Sequence, residues 1–123
     1  MTTEAMTTDT AYRWIEGVNR AAAELAAAMN NESELEDSRA LVKVEAIRRI
    51  MAAGPNDLTG KPHSSSSAES IVEQDAGYQE HRARQRDAVQ ATILYRARLE
   101  AAKLKARFAV ERWVLQGGEA DAE

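Results

Sequence analysis

The sequence predicts an all-α chain of two shorter helices and one long C-terminal helix, assembling as a helical homo-oligomer with coiled-coil character. Three observations lead there. Apolar residues recur at steps of three and four along most of the 123 residues. After Ser66 no strong stop signal appears before Gly117 and Gly118. On a helical wheel, residues 88–115 carry two apolar sectors on nearly opposite sides, so the last helix asks for two partners.

The elements follow in order. Residues 1–8 have no apolar period and read as a frayed, disordered tail. Asp9 or Thr10 can cap a first helix over about 10–30, where Ala11, Ile15, Val18, Ala22, Leu25 and Met29 form a narrow seam widened by Trp14. Asn31 with Glu34, or Ser33 with Glu36, has the capping-box spacing and predicts a second helix over about 33–53. Its expected buried stripe is Leu41, Val44, Ile47 and Ile50 or Met51, and Gly54 and Pro55 end it.

Residues 54–66, with two Pro, two Gly and the first three of four consecutive Ser, read as an exposed loop. Ser66 with Glu69 makes another capping box, opening a helix over about 67–115 with Gly77 as its weakest point. Residues 117–123 read as a disordered acidic tail, which leaves residues 9–116 as a single helical domain.

Along the long helix, Ala88, Thr92, Tyr95, Leu99, Ala102, Ala106, Val110 and Trp113 fill one apolar sector. Leu94, Ala97, Ala101, Leu104, Phe108 and Leu115 fill the other. Between them run a mixed strip (Arg96, Glu100, Lys103, Arg107, Glu111) and a purely basic one (Arg98, Lys105, Arg112). The first two helices can cover one sector, and the other would stay wet in a monomer.

Composition excludes several function classes. Of the apolar residues, which make up 44% of the chain, 24 are Ala, so the core is thin and stability is expected from long, modest helix contacts rather than from a deep centre. Zero Cys removes disulfides, thiolate nucleophiles and zinc knuckles. No apolar run approaches membrane-spanning length and no leader pattern appears, so a cytoplasmic location without membrane contact is expected, in a bacterium or a phage-infected cell. His63 and His81 are the only histidines, and neither HExxH nor DxDxDG occurs, so no metal is expected. Gly54–Lys61 fails as a phosphate loop because five residues separate Gly54 from Gly60 and Pro62 follows Lys61. No base is placed to activate Ser64–Ser67. The chain reads as a non-enzyme without catalytic residues or cofactor.

The net charge of −4 conceals a segregation. Residues 1–37 hold eight acids against two bases, whereas residues 81–113 hold nine bases against three acids. Such stretches seek a polyanion, or acidic partners in a neighbouring subunit. The segment His81–Arg86 has almost no apolar face and is expected outside any core. It supplies Arg82, Arg84 and Arg86 for phosphate, with Tyr78 and Tyr95 as base-stacking platforms. Arg48, Arg49, Arg96, Lys103 and Arg107 extend the same charge. A second candidate is the loop Thr59, Lys61, His63, Ser64, Ser65 and Ser66, whose hydroxyls and Lys could hold an anionic nucleotide at a helix start.

The basic LVKVEAIRRI segment, a Gly- and Ser-containing break, and the long YQEHRARQRDAVQATILYRARLEAAKLKARF stretch together resemble the layout of UvsY-type recombination mediators of T-even phages. The likeness spans residues 38–113. It implies a helical oligomer that binds single-stranded DNA and works with a recombinase or a single-strand-binding protein. It places the DNA contacts on Arg48, Arg49, Arg82, Arg84, Arg86 and the later basic strip. The rival expectations are a nucleotide-sequestering small protein and a purely structural or adaptor helical oligomer.

Overall fold

A computed structural model describes residues 8–56 and 60–117. The chain is all-α, with α1 (Thr8–Asp37), α2 (Arg39–Ala52), the short α3 (Ser65–Ser70), a 3₁₀ turn (Val72–Gln74) and α4 (Ala76–Leu115). Among the described residues the only extended pairing is one antiparallel bridge between Pro55 and Pro62. Beside it Asn56 donates its backbone N–H to the Lys61 carbonyl at 2.6 Å. The expected tails 1–8 and 117–123 lie outside the described residues, except for Thr8 and Gly117.

The chain forms two compact units. One comprises the chain up to Met29 with that from Ala91 onward, and the other comprises Asn30–Gln90. In the first, α1 buries Ala21 and half-buries Ala11, Val18, Leu25 and Ala28, while α4 buries Thr92, Leu99 and Ala109 and half-buries Tyr95, Ala102, Ala106 and Trp113. On both helices these positions repeat on average every 3.5 residues, the spacing that keeps one face of a helix against a partner. Small side chains predominate, so the backbones can approach closely.

This spacing corrects the seam expected on α1. Ile15 and Met29, 46% and 47% exposed, and Ala22 lie outside it, because the 3.5-residue repeat selects Ala21 and Ala28 instead. On α4 the sector led by Ala88 and Leu99 is the inward one, although Ala109 takes the slot expected for Val110. The sector of Leu94, Ala97, Ala101, Leu104, Phe108 and Leu115 faces outward, with Leu104 52% and Phe108 61% exposed.

The break expected near residues 30–33 does not form. Helical hydrogen bonding continues through it, with Ser38 donating its N–H to Glu34 and Val42 donating to Ser38. The boundary falls at Ser38, whose hydroxyl donates back to the Leu35 carbonyl at 3.1 Å, a bond that loosens a helix at that point. Glu32–Asp37 are adequate helix formers, and Leu35 carries the buried stripe past the capping signals.

In the second unit, α2 packs on α3 and the 3₁₀ turn. The core is Ala46, Val72 and Tyr78, flanked by Val42, Ile47 and Ile50. Leu41, Val44 and Met51 are exposed, contrary to the expected stripe, because the fully buried Ala46 sets the close approach and turns the helix about it.

The long helix expected from about residue 67 is broken at Asp75, two residues before Gly77. Asp75 adopts an extended conformation, its carboxylate accepts the Tyr78 N–H at 2.9 Å, and α4 starts behind this cap. Arg49 grips the same carboxylate through Nε at 3.1 Å and Nη2 at 2.7 Å. Gly77 has a packing role here, since a Cβ on it would lie 2.6 Å from Arg49 Nη2. The hydrogen bond from Arg49, aided by those from the Tyr78 and Gly77 backbone, holds the Asp75 carboxyl below its ordinary range.

A carboxyl depressed in the folded state stabilises fully above its unfolded pKa of about 3.9 and loses that contribution as pH falls through the lower folded value. Urea melts should therefore show the second unit weakening below about pH 4, and Asp75→Asn should flatten that dependence. Losing the cap through Asp75→Ala should itself cost about 1 kcal/mol. Gly77→Ala should bring little gain in the native background, but with Arg49→Ala present it should stabilise by about 0.5–1 kcal/mol, the usual helix-interior difference between Gly and Ala. Equal effects of Gly77→Ala in both backgrounds would contradict the steric coupling.

Candidate nucleic-acid interface

The basic residues of the Asn30–Gln90 unit are mostly engaged. Arg49 is committed to Asp75, and Lys43 bridges to Glu69 at 2.8 Å, which raises the Lys43 pKa and lowers that of Glu69. Arg84 pairs with Glu80 one turn away, and Arg82 reaches Glu73 at 3.9 Å. Arg48 is exposed and makes no ion pair among the described residues. Arg82 and Arg86 border two shallow clefts of about 390 and 430 Å³, the first also lined by Glu73 and the second by Glu36. A carboxylate in each cleft offsets the attraction for an anion.

Tyr78 cannot serve as the expected stacking platform. It is 6% exposed, packs with Ala46 and Val72, and carries the Arg82 guanidinium 5.9 Å from its ring centre. His81 also departs from expectation. It is 6% exposed, and its Nε2 lies 3.0 Å from the Leu35 carbonyl, so the His81–Arg86 segment does enter the packed interior. A polar ring with a carbonyl partner is as acceptable there as an apolar one.

The Ser-rich loop is largely occupied with itself. Ser64 caps α3 by accepting the Ser67 N–H at 3.1 Å, while the Ser67 hydroxyl lies 3.1 Å from His63 Nδ1. The helix therefore starts at Ser65, two residues before the expected position, and its third N–H, that of Ser67, already has a partner. Ser65, Ser66 and Lys61 are exposed, and Thr59 lies outside the described residues. Of the hydroxyls expected at a nucleotide site, that of Ser64 is taken up by capping, while Ser65 and Ser66 lie exposed.

The two strips of α4 behave differently in the other unit. On the mixed strip Lys103 pairs with Glu100 at 3.5 Å and Arg107 with Glu111 at 3.2 Å, leaving Arg96 without a carboxylate. On the basic strip Arg98, Lys105 and Arg112 follow one another at every seventh residue and make no ion pair among the described residues. Seven residues rise about 10.5 Å, so the three charges form a line beside the buried stripe. Arg98 lies 5.3 Å from the centre of the Tyr95 ring. Lys105 and Arg112 border a groove of about 250 Å³ together with Trp14, Phe108 and Ala109, and no carboxylate lines it.

That groove combines open cations with aromatic faces, Trp14 being 37% and Phe108 61% exposed. Cations attract phosphate, and aromatic faces accept an unstacked base. The residues expected from sequence fall in two different units. Arg48, Arg49, Tyr78, Arg82, Arg84 and Arg86 belong to one unit, and Arg96, Lys103 and Arg107 to the other. The signal that singles out Arg98, Lys105 and Arg112 is the absence of an acid along their own strip. Trp14 could not be assigned from sequence, because its role depends on a helix some 90 residues later.

Among the described residues no group of His, Asp or Glu could hold a metal ion, and no helix is long and apolar enough to cross a membrane. Comparison with protein-family models, with curated proteins and with solved structures gave no match.

Cations that make no native contact with a carboxylate should be dispensable for folding. The triple substitution Arg98→Gln, Lys105→Gln and Arg112→Gln should leave the urea-unfolding free energy within about 0.5 kcal/mol per site, the range of ordinary surface changes. A larger loss would place these side chains in the scaffold.

Proposed function

We propose that the protein is a self-associating, non-enzymatic helical accessory factor that binds single-stranded nucleic acid along the Arg98, Lys105 and Arg112 edge of α4. The observation carrying this reading is the groove in which Lys105 and Arg112 stand beside Trp14 and Phe108 with no carboxylate in its lining. Phosphates would take the cations, and a base could stack on Trp14. A groove open along one helix suits a single strand, which can splay its bases. Duplex DNA keeps its bases stacked away from such a surface.

Two further features support the reading. The apolar face led by Leu94, Leu104 and Phe108 has no partner within the described chain and favours self-association, which multiplies weak phosphate contacts. The layout of residues 38–113 resembles UvsY-type recombination mediators, so a role beside a recombinase or a single-strand-binding protein during recombination or replication is the physiological setting we propose. Within that setting Arg86, Arg96 and Arg48 are secondary contacts. Arg49, Arg84, Lys103 and Arg107 are already paired, and Tyr78 makes no contact. The protein would act in the cytoplasm.

Fluorescence anisotropy with a labelled oligothymidylate tests the proposal. Affinity should fall with a log–log salt slope of about −2 if three phosphates are neutralised on a single strand. The Arg98→Gln, Lys105→Gln, Arg112→Gln variant should abolish most of the binding, and Lys103→Gln should change it little. Trp14 emission should be quenched in a Trp113→Phe background. Absence of binding at low salt, salt-independent binding, or full affinity in the triple variant would each remove the assignment.

A further inference from the structure

We infer that α4 pairs antiparallel with α4 of a second copy, in one register that sets Ala97 against the second copy's Phe108 and Ala101 against its Leu104. The inference rests on the proposed self-association but not on nucleic-acid binding.

The surface is a stripe in its own right. Leu94, Ala97, Ala101, Leu104, Phe108 and Leu115 follow the alternating three- and four-residue steps of a coiled-coil seam, with Glu111 at the one polar position. All six are exposed, Leu94 at 49% and Leu115 at 87%. This stripe lies on the far side of α4 from the one buried in the fold. A partner of matching length and periodicity is needed to cover it, and α4 itself has both.

Size and charge select the orientation. In the inferred register each large residue at the centre of the seam meets an alanine, which lets the layers interdigitate. One flank of the seam carries Ile93, Glu100, Arg107 and Val114. Antiparallel pairing places Glu100 opposite the second copy's Arg107 and Ile93 opposite its Val114, and two-fold symmetry makes each pair twice. The present partners of these charges, Lys103 and Glu111, are exposed neighbours on the same helix and are readily exchanged.

The alternatives are poorer. A parallel pair sets Glu111 against Glu111, leaves Ala97 and Ala101 facing their own copies, and brings Arg107 beside Arg112. Sliding the antiparallel pair by seven residues in one direction opposes Glu100 to itself, and in the other opposes Arg107 to itself. Of these arrangements only the inferred register pairs Glu100 with Arg107 and sets both central large residues against alanine, with Leu94 meeting the second copy's Glu111 further out.

The other flank carries Arg98, Lys105 and Arg112, so pairing brings Arg98 beside the second copy's Lys105 and gathers six cations along one edge. This repulsion is the unfavourable part of the arrangement, and a bound polyanion would relieve it. Association and polyanion binding would then favour one another.

The chain has no cysteine, so a single introduced one labels cleanly. With a spin label at Leu115→Cys, the antiparallel pair should separate the two labels by about 37 Å along the helix axis, at 1.5 Å per residue. A parallel pair would hold them about 10 Å apart, the spacing of packed helices. Light scattering at tens of micromolar should give a dimer or a multiple of it, and Leu104→Glu should reduce the mass with helicity unchanged by circular dichroism. Glu100→Arg and Arg107→Glu should each weaken association several-fold, and mixing the two variants should restore it, since the mixed pair recovers both charge contacts. A monomeric native chain, a short label distance, or no rescue on mixing would overturn the inference. Adding oligothymidylate to the same samples separates the two ideas. A dimer that ignores DNA retains the pairing and removes the nucleic-acid assignment, whereas a monomer that binds DNA does the reverse.

Discussion

The arrangement of this chain depends on one repeating constraint, a 3.5-residue stripe that runs the length of α4. Tyr78, His81, Gln85, Ala88, Thr92, Tyr95, Leu99, Ala102, Ala106, Ala109 and Trp113 are its members, and each is buried or half-buried. An unbroken seven-residue repeat keeps them on one line, and a line needs only one covering surface. Most other positions on the helix are thereby left to solvent, the half-buried Gly77, Ala83 and Ala91 being the exceptions. The charged strips and the second apolar face are open because the first face is satisfied so narrowly. Mixed chemistry on the line is tolerated when each polar group finds a partner, as His81 does at the Leu35 carbonyl. Thr92 is the exception, its hydroxyl being enclosed without a partner among the described residues.

Electrostatic function then follows from local neighbours. Where an acid three or four residues from a base pairs with it, the helix neutralises its own charge, as with Arg84 and Glu80, Lys103 and Glu100, and Arg107 and Glu111. Where they are absent, the charge remains available to something outside the chain. Total basicity is therefore a poor guide to a binding edge, and the strip of Arg98, Lys105 and Arg112 stands out only when each cation is weighed against its helical neighbours. Arg49 illustrates the opposite case. It lies in a strongly basic segment, yet its guanidinium closes the Asp75 cap at the start of α4.

Helix content, the Gly54–Pro55 stop, the open loop and the inward sector of α4 were legible in the sequence, because each follows from spacing along one segment. The parts that were not legible depend on distant residues. The α1 seam shifts from Ile15 and Met29 to Ala21 and Ala28 because a partner helix imposes the shorter period. Tyr78 is taken inward by Ala46 and Val72, which no local pattern announces. The start of α4 moves to Asp75 because Arg49, 26 residues earlier, adds to a cap that competes with Gly77 as the breaking point. Of the residues lining the proposed groove, the cations were visible as a strip, but Trp14 needed a neighbour from the other end of the chain.

The distribution of apolar side chains carries the argument one step further. Of the eight hydrophobic residues buried among those described, five are alanine, while Leu94, Leu104, Phe108 and Leu115 stand outside. Burying a large side chain contributes roughly 1.5–3 kcal/mol, several times what a methyl group provides. The chain therefore keeps its largest apolar reserve on the surface. Selection for the stability of an isolated subunit would place those residues inward and the alanines outward. The inverse placement, held at coiled-coil spacing along an edge flanked by unneutralised cations, is the pattern expected when association completes the fold and the completed edge meets an anion.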